Sequence, residues 1–182
     1  TLLGNAGNDS LAGNAGDDLL DGGIGNDKMK GGVGNDIYLV NALGDSIDEE
    51  GNADTGDLVR SSVTINLAML GAGFIENAEL LGATAIHATG NTLDNELTGN
   101  NGGNKLDGAE GADTLTGGNG ADTYTVDDIG DDVIETTGGA PGGIDLVLSS
   151  ISYTLTANVE KLTLTGADDI DGTGNTLNNT LI

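Results

Sequence analysis

A nine-residue repeat constrains the fold of this chain more than any other feature of its sequence. Two copies stand head to tail between Gly22 and Leu39, where they read GGIGNDKMK and GGVGNDIYL. Each unit consists of Gly-Gly-x-Gly-x-Asp followed by three residues, of which the middle one is apolar. A single GxGxxD would be weak evidence in a chain this rich in glycine and aspartate. A phase kept over consecutive units indicates a repeat architecture.

The same phase runs through two blocks of the chain. Four consecutive units begin at Gly4, four more begin at Gly90, and a further unit begins at Gly174. One degenerate unit prolongs each block. The sixth places are held by Asp9, Asp18, Asp27, Asp36, Asp45, Asn95, Asn104, Asp113, Asp122 and Asp131. The eighth places are held by Leu11, Leu20, Met29, Tyr38, Ile47, Leu97, Leu106, Leu115, Tyr124 and Val133.

This spacing predicts how one unit folds. Glycine permits the tight turn that the first six places require. The last three places then form a minimal strand in which only the middle side chain points inward. Two units make one flattened rung of eighteen residues, and the strands of successive rungs lie ~4.8 Å apart. We therefore predict an all-β fold, a parallel β-roll or β-helix solenoid with stacked turns.

A longer period is superimposed on the nine-residue one. Tyr38 corresponds to Tyr124 at a shift of 86 residues, and Gly90 corresponds to Gly174 at a shift of 84. We divide the chain into a regular block (1–48), irregular rungs (49–89), a second regular block (90–134), irregular rungs (135–173) and the start of a third block (174–182). The irregular stretches predict longer, less regular strands in LVRSSVTINL (58–67), IENAELLG (75–82), DLVLSSISYTL (145–155) and VEKLTLTG (159–166). Because the chain starts and ends in phase, we expect the array to continue in a longer polypeptide.

The charge of the chain narrows the classes of function. Thirty acidic residues against five basic ones give the 182 residues a net charge of −25. Such a charge disfavours binding to nucleic acid, whose phosphates would be repelled. It would be typical of a disordered tail, but a tail would not keep a strict period. The chain has no cysteine to form disulfides, and no run reaches the ~18 apolar residues of a membrane span.

Metal binding is the remaining source of stability for so glycine-rich a chain. Stacking places sixth-place carboxylates of successive rungs over one another, as in the pair Asp9 and Asp27. Two such charges ~5 Å apart repel by roughly 3 kcal/mol at an effective dielectric constant of about 20. Several Ca²⁺ ions would reverse the sign of that interaction and recruit backbone carbonyls, which makes metal binding part of the folding energy. The predicted carbonyl ligands lie around Gly4, Gly7, Gly13, Gly16, Gly22, Gly25, Gly31, Gly34, Gly108, Gly111, Gly117 and Gly120.

The units GGIGNDKMK and GGVGNDIYL resemble the haemolysin-type calcium-binding repeats of the RTX (repeats-in-toxin) family. The resemblance covers residues 4–39, 90–125 and 174–182. It implies a right-handed parallel β-roll in which turn aspartates and carbonyls hold Ca²⁺. It also implies export by a type I secretion system, with the chain leaving the low-calcium cytosol unfolded and folding outside the cell.

The second block departs from the family pattern in two sixth places. Asn95 and Asn104 stand where aspartate is expected, so each stacked pair there carries one negative charge. Leu93 also occupies a glycine place of the Gly90 unit. We therefore predict weaker calcium binding there than at the pairs of the first block, with Asp113 and Asp131 forming an intermediate pair.

Other acidic residues recur in both halves of the chain outside the sixth places. They are Glu49 and Glu135, Asp57 and Asp145, and Glu76 and Glu160. We interpret them as surface or capping charges, with additional calcium ligation as the alternative. The sequence predicts that Tyr38 and Tyr124 are core residues that close each regular block.

Catalysis has little support in the sequence. His87 is the only histidine, and the corresponding residue of the second half is Asp171. Paired carboxylates such as 127–128 and 168–169 could indicate glycoside chemistry, but neighbours on a strand point to opposite faces. We therefore expect no enzymatic activity from this chain.

The leading functional hypothesis is a calcium-binding structural module of a large secreted bacterial protein, such as an adhesin, a surface-layer protein or a filament protein. We expect an extracellular or cell-surface location, with neighbouring copies of the repeat as partners in end-to-end or lateral self-assembly. One alternative is the secretion-assisting part of an RTX enzyme or toxin whose catalytic domain lies elsewhere. Another is a carbohydrate-binding solenoid, which only the richness in Asn, Thr and Asp supports.

Overall fold

The computed structural model describes residues 1–49, 55–71, 74–136 and 142–182, and in those residues the chain is an all-β solenoid. Every strand pairing among them is parallel, as the repeat predicts. Odd-numbered strands form an eight-stranded and a two-stranded sheet, and even-numbered strands form a three-stranded and a seven-stranded sheet. The chain therefore alternates between two sets of strands as it advances along the stack. The predicted fold class is confirmed.

The strands are short throughout. The odd-numbered ones are β1 (Leu2–Leu3), β3 (Leu19–Asp21), β5 (Ile37–Val40), β7 (Leu58–Ser61), β9 (Asn77–Leu80), β11 (Glu96–Thr98), β13 (Thr114–Thr116), β15 (Asp132–Ile134), β17 (Tyr153–Thr154) and β19 (Gly172–Thr173). The even-numbered ones are β2 (Ser10–Ala15), β4 (Lys28–Val33), β6 (Ser46–Asp48), β8 (Ile65–Asn66), β10 (Ala88–Asn91), β12 (Lys105–Ala109), β14 (Thr123–Val126), β16 (Leu146–Ser149), β18 (Lys161–Leu164) and β20 (Thr180–Leu181).

The register of the strands confirms the eighteen-residue rung. In the first block Leu2 pairs with Leu20 and Leu20 pairs with Tyr38, each eighteen residues further along the chain. The irregular rungs join the same sheets, but the number of residues between paired positions differs from eighteen. Tyr38 pairs with Val59, and Val59 pairs with Ala78. Regular and irregular stretches thus share one continuous stack of strands.

The prediction of longer strands in the irregular stretches is wrong. Strands β7, β9, β16 and β18 have four residues each, and β8 and β17 have two. The chain turns sharply after Ser61 and Ser149, whose hydroxyls each accept an N–H and donate to a carbonyl two residues ahead. These serine turns end the strands, because they give the backbone local hydrogen bonds in place of the ladder.

One short helix follows β8. Helix α1 (Leu67–Leu70) begins at Asn66, whose side-chain oxygen accepts a hydrogen bond from the Met69 N–H at 3.1 Å. It contacts β6, β8 and β10, and the even-numbered ladder is interrupted between β6 and β8. No helix in the described part of the chain is long and apolar enough to span a membrane.

The core is a file of eighth-place side chains, as the repeat predicts. All ten of these side chains in the two blocks are buried. They continue into the irregular rungs as Val59, Ala78, Val147 and Leu162, which are also buried. Three-residue strands such as β13 bury one side chain, and four-residue strands such as β5 and β14 bury two. Each buried side chain therefore makes a large contribution to a narrow core.

Truncation of one of these side chains tests that contribution. Leu115→Ala should lower the free energy of unfolding in saturating Ca²⁺ by about 2 to 5 kcal/mol, because it leaves a cavity in the core. Chemical denaturation followed by circular dichroism measures the change. Leu43→Ala is the matched control, since Leu43 is 82% exposed, and it should leave the unfolding midpoint unchanged.

Candidate metal sites

The sixth-place side chains of successive rungs are stacked in ladders. In each stacked pair, the sixth-place residue that comes later in the chain uses one carboxylate oxygen to accept a hydrogen bond. The donor is the backbone N–H of the sixth-place residue one rung earlier. The distances are 2.8 Å for Asp9 N to Asp27 Oδ1, 2.7 Å for Asp18 N to Asp36 Oδ1 and 3.0 Å for Asp27 N to Asp45 Oδ1. In the second block they are 2.7 Å for Asn95 N to Asp113 Oδ1, 2.6 Å for Asn104 N to Asp122 Oδ1 and 3.0 Å for Asp113 N to Asp131 Oδ1. The structure therefore brings together every pair of residues that the repeat places over one another.

The ladders continue into the irregular rungs through acids that the nine-residue phase does not include. Asp57 Oδ1 accepts from the Asp36 N–H at 2.8 Å, and Glu76 Oε2 accepts from the Asp57 N–H at 3.1 Å. Their counterparts Asp145 and Glu160 repeat both contacts, at 2.8 and 2.9 Å. The irregular stretches thus keep the carboxylate ladder although they lose the period.

Two different constraints explain the glycines of the turn. Gly22 has no positive φ, but a Cβ on it would clash with the Asp27 carboxylate, so the first place must lack a side chain. The fourth place needs a positive φ instead, as at Gly25 with φ 151°. The first-place glycine therefore preserves space beside the carboxylate, and the fourth-place glycine permits the turn itself.

The second carboxylate oxygen of several ladder residues has no protein partner. The Oδ2 atoms of Asp9, Asp27, Asp113 and Asp122 are buried without any hydrogen bond. A buried ionised oxygen without a partner is costly unless a cation or a proton neutralises it. Burial raises the pKa of Asp113 and of Asp122 to about 6. These oxygens, together with the space beside the first-place glycine, fit a divalent cation with oxygen ligands.

Two predicted ligands lie at the end of their ladders and differ from the others. Asp45 Oδ2 accepts from the backbone N–H groups of Asn41 and Ala42, at 3.1 and 3.0 Å. Asp131 Oδ2 accepts from Asp127 and Asp128 in the same way, at 2.9 and 3.1 Å. Both oxygens of each residue therefore have protein donors, so the degenerate units act as caps on the ladders.

The two asparagines at sixth places also have protein partners. The Asn104 amide donates to the Ile86 carbonyl at 2.6 Å, and its Oδ1 accepts from the Asn100 N–H at 2.8 Å. Asn95 donates to the Glu76 carbonyl at 3.0 Å and accepts from the Asn91 N–H at 2.8 Å. An amide supplies donors that a carboxylate lacks. At these two rungs both the amide oxygen and the amide nitrogen therefore have protein partners, and no bare carboxylate oxygen remains.

Two clusters of buried acids appear where each regular block meets the irregular rungs. We define the first three-carboxylate cluster as Asp36, Glu49 and Asp57, and the second as Asp122, Glu135 and Asp145. In each cluster one oxygen from every member lies within 4.8 Å of the other two. The interpretation of the Glu49 and Asp57 pairs as surface charges is wrong, because all six side chains are buried. Their recurrence in both halves of the sequence was the signal that could have found them.

A tyrosine closes each cluster. The hydroxyl of Tyr38 donates a hydrogen bond to Glu49, and that of Tyr124 donates to Glu135. Burial raises the pKa of Glu49 to about 7 and that of Glu135 to about 8, with the neighbouring aspartates adding to the effect. Burial also raises the pKa of both tyrosines far above its usual range. The tyrosines are core residues, as predicted, and each also carries a polar contact to a cluster.

The side chains considered for catalysis have other roles in the described structure. His87 Nδ1 accepts the Lys105 N–H at 3.0 Å, which makes it part of the stacking contacts. The acidic neighbours at 127–128 and 168–169 lie outside the strands, so the expectation that a strand points them to opposite faces is wrong. The backbone N–H groups of Asp127 and Asp128 donate instead to the cap at Asp131.

Comparison with known families identifies the repeat. Residues 3–38 and 89–124 match the family model described as RTX calcium-binding nonapeptide repeat (4 copies). Each matched segment coincides, within one residue at either end, with the four regular units of one block. The resemblance inferred from the units is confirmed, and repeats of this kind bind Ca²⁺. No match was found among the curated proteins or among the solved structures.

The raised pKa values predict how stability without metal depends on pH. Asp113, Asp122 and Asp145 have pKa values of about 6, Glu49 about 7 and Glu135 about 8 in the folded chain. In an unfolded chain these groups titrate near pH ~4. The folded state then binds more protons between these values, so its stability is greatest at low pH and falls as the pH rises.

In chelator, we therefore expect more β structure by circular dichroism at about pH 5 than at about pH 8. In saturating Ca²⁺ the chain should no longer have more β structure at the lower pH, because cation binding requires deprotonated carboxylates. A chain that in chelator is equally folded at both pH values, or more folded at the higher one, would contradict the prediction.

Proposed function

Residues 3–38 and 89–124 of this chain are RTX calcium-binding nonapeptide repeats, and on that premise we propose that the chain is a non-catalytic structural module of a secreted bacterial protein. In this proposal the module folds outside the cell when it binds Ca²⁺. It belongs to a protein of the adhesin, surface-layer or filament type.

One observation carries the calcium-dependent folding. The Oδ2 atoms of Asp9, Asp27, Asp113 and Asp122 are buried and have no hydrogen-bond partner. At neutral pH the unfolded chain can keep these carboxylates ionised in water, whereas the folded chain must neutralise them. A cation that binds only the folded chain shifts the equilibrium toward it. Extracellular calcium modules work at millimolar Ca²⁺, a concentration that the cytosol does not provide.

We propose the stacked sixth-place residues of the first block as the strongest calcium ligands. Asp27 lies between Asp9 and Asp45, and its side chain is only 1% exposed. The carbonyl of Gly22 and Asp9 Oδ2 both face the space beside Gly4, where a side chain would collide with them. Carboxylate and carbonyl oxygens thus converge in a cradle that only a first-place glycine leaves open.

The second block should bind calcium more weakly at its first two units. Asn95 and Asn104 carry no charge, and their amide oxygens already accept backbone N–H groups. Asp113 and Asp122 each retain an unpartnered buried oxygen. Calcium binding in the second block should therefore centre on these two aspartates, with Asp131 contributing less because it caps its ladder.

The structural rather than catalytic role is supported by the tandem copy. Both halves repeat the same features at equivalent points, including the tyrosine contact, the buried cluster and the ladder acids. The two halves also share sheets, since one eight-stranded sheet runs from β1 in the first block to β15 in the second. Repeats of this kind stack on their nearest neighbours. We propose that neighbouring copies of the repeat are the partners of this module in end-to-end or lateral self-assembly.

Calcium-driven folding has a direct test. The chain should lack most of its β signal in chelator at neutral pH and gain it in millimolar Ca²⁺, as measured by circular dichroism. Mg²⁺ at the same concentration is the control, and it should restore little, because it favours fewer carboxylate ligands and retains water. A β spectrum already complete in chelator would rule out calcium-driven folding.

The position of a ligand in its ladder should determine its importance. Asp27→Ala removes a carboxylate shared by two stacked pairs, whereas Asp9→Ala removes one that belongs to a single pair. The Ca²⁺ concentration at half folding should therefore rise more for Asp27→Ala than for Asp9→Ala, by a further factor on the order of ten. A calcium titration of both variants measures this. An equal effect of the two changes would contradict the shared role of Asp27.

The order in which the two blocks respond to calcium is a separate prediction. In a titration followed by amide NMR resonances, the Gly4–Leu39 units should reach their bound state at lower Ca²⁺ than the Gly90–Thr125 units, because of the two asparagines. Asn104→Asp should narrow the difference, since it restores one charge to the ladder. Filling of the second block before the first would contradict the ranking.

A further inference from the structure

The two three-carboxylate clusters combine residues that no single repeat unit supplies. In the second cluster, Asp122 is the sixth place of the last full unit, and Glu135 follows directly after strand β15. Asp145 directly precedes strand β16, one rung further along the stack. The first cluster has the same composition, with Glu49 after β6 and Asp57 before β7. Each cluster thus lies at a junction between regular and irregular rungs.

The geometry of the second cluster is that of an oxygen-lined centre. One oxygen from each of its three carboxylates lies within 4.8 Å of the others, and the side chains are between 0 and 7% exposed. Asp122 Oδ2, Glu135 Oε2 and Asp145 Oδ2 are buried and have no hydrogen-bond partner. In the first cluster, Glu49 Oε2 is buried and without a partner in the same way. These glutamate oxygens are separate observations from the stacked aspartates of the turns.

The surroundings fix one oxygen of each glutamate and place a glycine directly against the second cluster. The Tyr124 hydroxyl donates to Glu135 Oε1, which leaves Oε2 available for a second contact. A methyl group on Gly117 would lie 2.6 Å from both Asp122 Oδ2 and Glu135 Oε1. Three carboxylates in a dry site repel strongly unless a cation or protons lie between them.

The donor set indicates the class of ion. All candidate ligands are hard oxygens, which favours Ca²⁺ or Mg²⁺ over the metals that prefer imidazole or thiolate. Mg²⁺ demands near-ideal octahedral geometry and retains several waters, whereas Ca²⁺ accepts many carboxylate oxygens in a flexible arrangement. A buried site with three carboxylates fits the second description.

We propose that each three-carboxylate cluster binds one Ca²⁺ ion at a further site, which shares Asp36 or Asp122 with the turn ladder and has Glu49 or Glu135 as its defining ligand. This inference rests on the calcium binding proposed above. The ion joins the last regular rung to the first irregular one, because its ligands come from both. The irregular stretches thereby acquire a calcium requirement although they lack the nine-residue motif.

Glutamine substitution of the two glutamates tests the proposal. Gln has the shape of protonated Glu and can still accept the tyrosine hydrogen bond, so the change removes charge with little change in packing. The double variant E49Q/E135Q should bind two fewer Ca²⁺ ions per chain than the wild type in equilibrium dialysis. The matched control is E96Q, at an exposed glutamate on β11, and it should bind the wild-type number.

Terbium luminescence offers a second readout that depends on position. Tb³⁺ replaces Ca²⁺ at oxygen sites and emits when a nearby tyrosine transfers energy to it. Tyr38 and Tyr124 contact the clusters, and the chain has only three tyrosines and no tryptophan. Tyrosine-sensitised emission should therefore be strong in the wild type and in E96Q, and should fall severalfold in E49Q/E135Q.

The outcomes separate this inference from the proposed function. An unchanged ion count and unchanged emission in E49Q/E135Q would overturn the inference, and the clusters would then hold protons rather than metal. If the double variant does not fold in saturating Ca²⁺, the single variant E135Q is measured instead. The loss of one bound ion would support the inference, and an unchanged ion count would overturn it. A wild-type chain that gains no β structure in Ca²⁺ would instead overturn the calcium-driven folding itself.

Discussion

The interaction on which the structure depends is the stacking of ionisable side chains in the turns. Most rungs present one carboxylate oxygen to a backbone N–H of the rung before them, and this contact occurs in both halves of the chain, as at Asp27 and Asp145. The contact joins neighbouring rungs, but it buries a row of negatively charged carboxylates along the stack. Because each short strand contributes only one or two inward side chains, the hydrophobic core cannot offset that charge alone. The fold therefore depends on what neutralises the second oxygen.

The chain satisfies the same turn position in three ways. In the first block the second oxygen of Asp9 and Asp27 is left bare, and a calcium ion is the proposed partner. At Asn95 and Asn104 an amide replaces the carboxylate and bonds to carbonyls of the preceding rung. At the end of each ladder, Asp45 and Asp131 accept two further backbone N–H groups. Metal dependence can thus vary along one continuous stack without any change in the backbone path.

In the proposed function this variation sets where folding depends on calcium. Rungs whose carboxylates are bare would couple folding to calcium, whereas rungs completed by amides or caps would form with less dependence on the ion. The two buried clusters would extend the coupling into the irregular rungs, where the motif is absent. Under this proposal the chain stays unfolded while calcium is scarce and becomes a stack of parallel strands once calcium is abundant.

The sequence by itself determined the period, the eighteen-residue rung, the buried eighth places and the stacked sixth-place pairs, because each follows from local spacing of residues such as Asp27 and Tyr38. It carried the resemblance to RTX calcium-binding repeats for the same reason, and the family model matches residues 3–38 and 89–124. Only the tertiary structure showed that Glu49 joins Asp36 and Asp57 in a buried cluster, since these residues meet across rungs of unequal length. It also replaced the predicted long strands with serine turns and helix α1. A local period specifies the contacts that recur at a fixed separation in the sequence. Contacts between irregular rungs have no fixed separation, so they depend on the path of the chain through the folded stack.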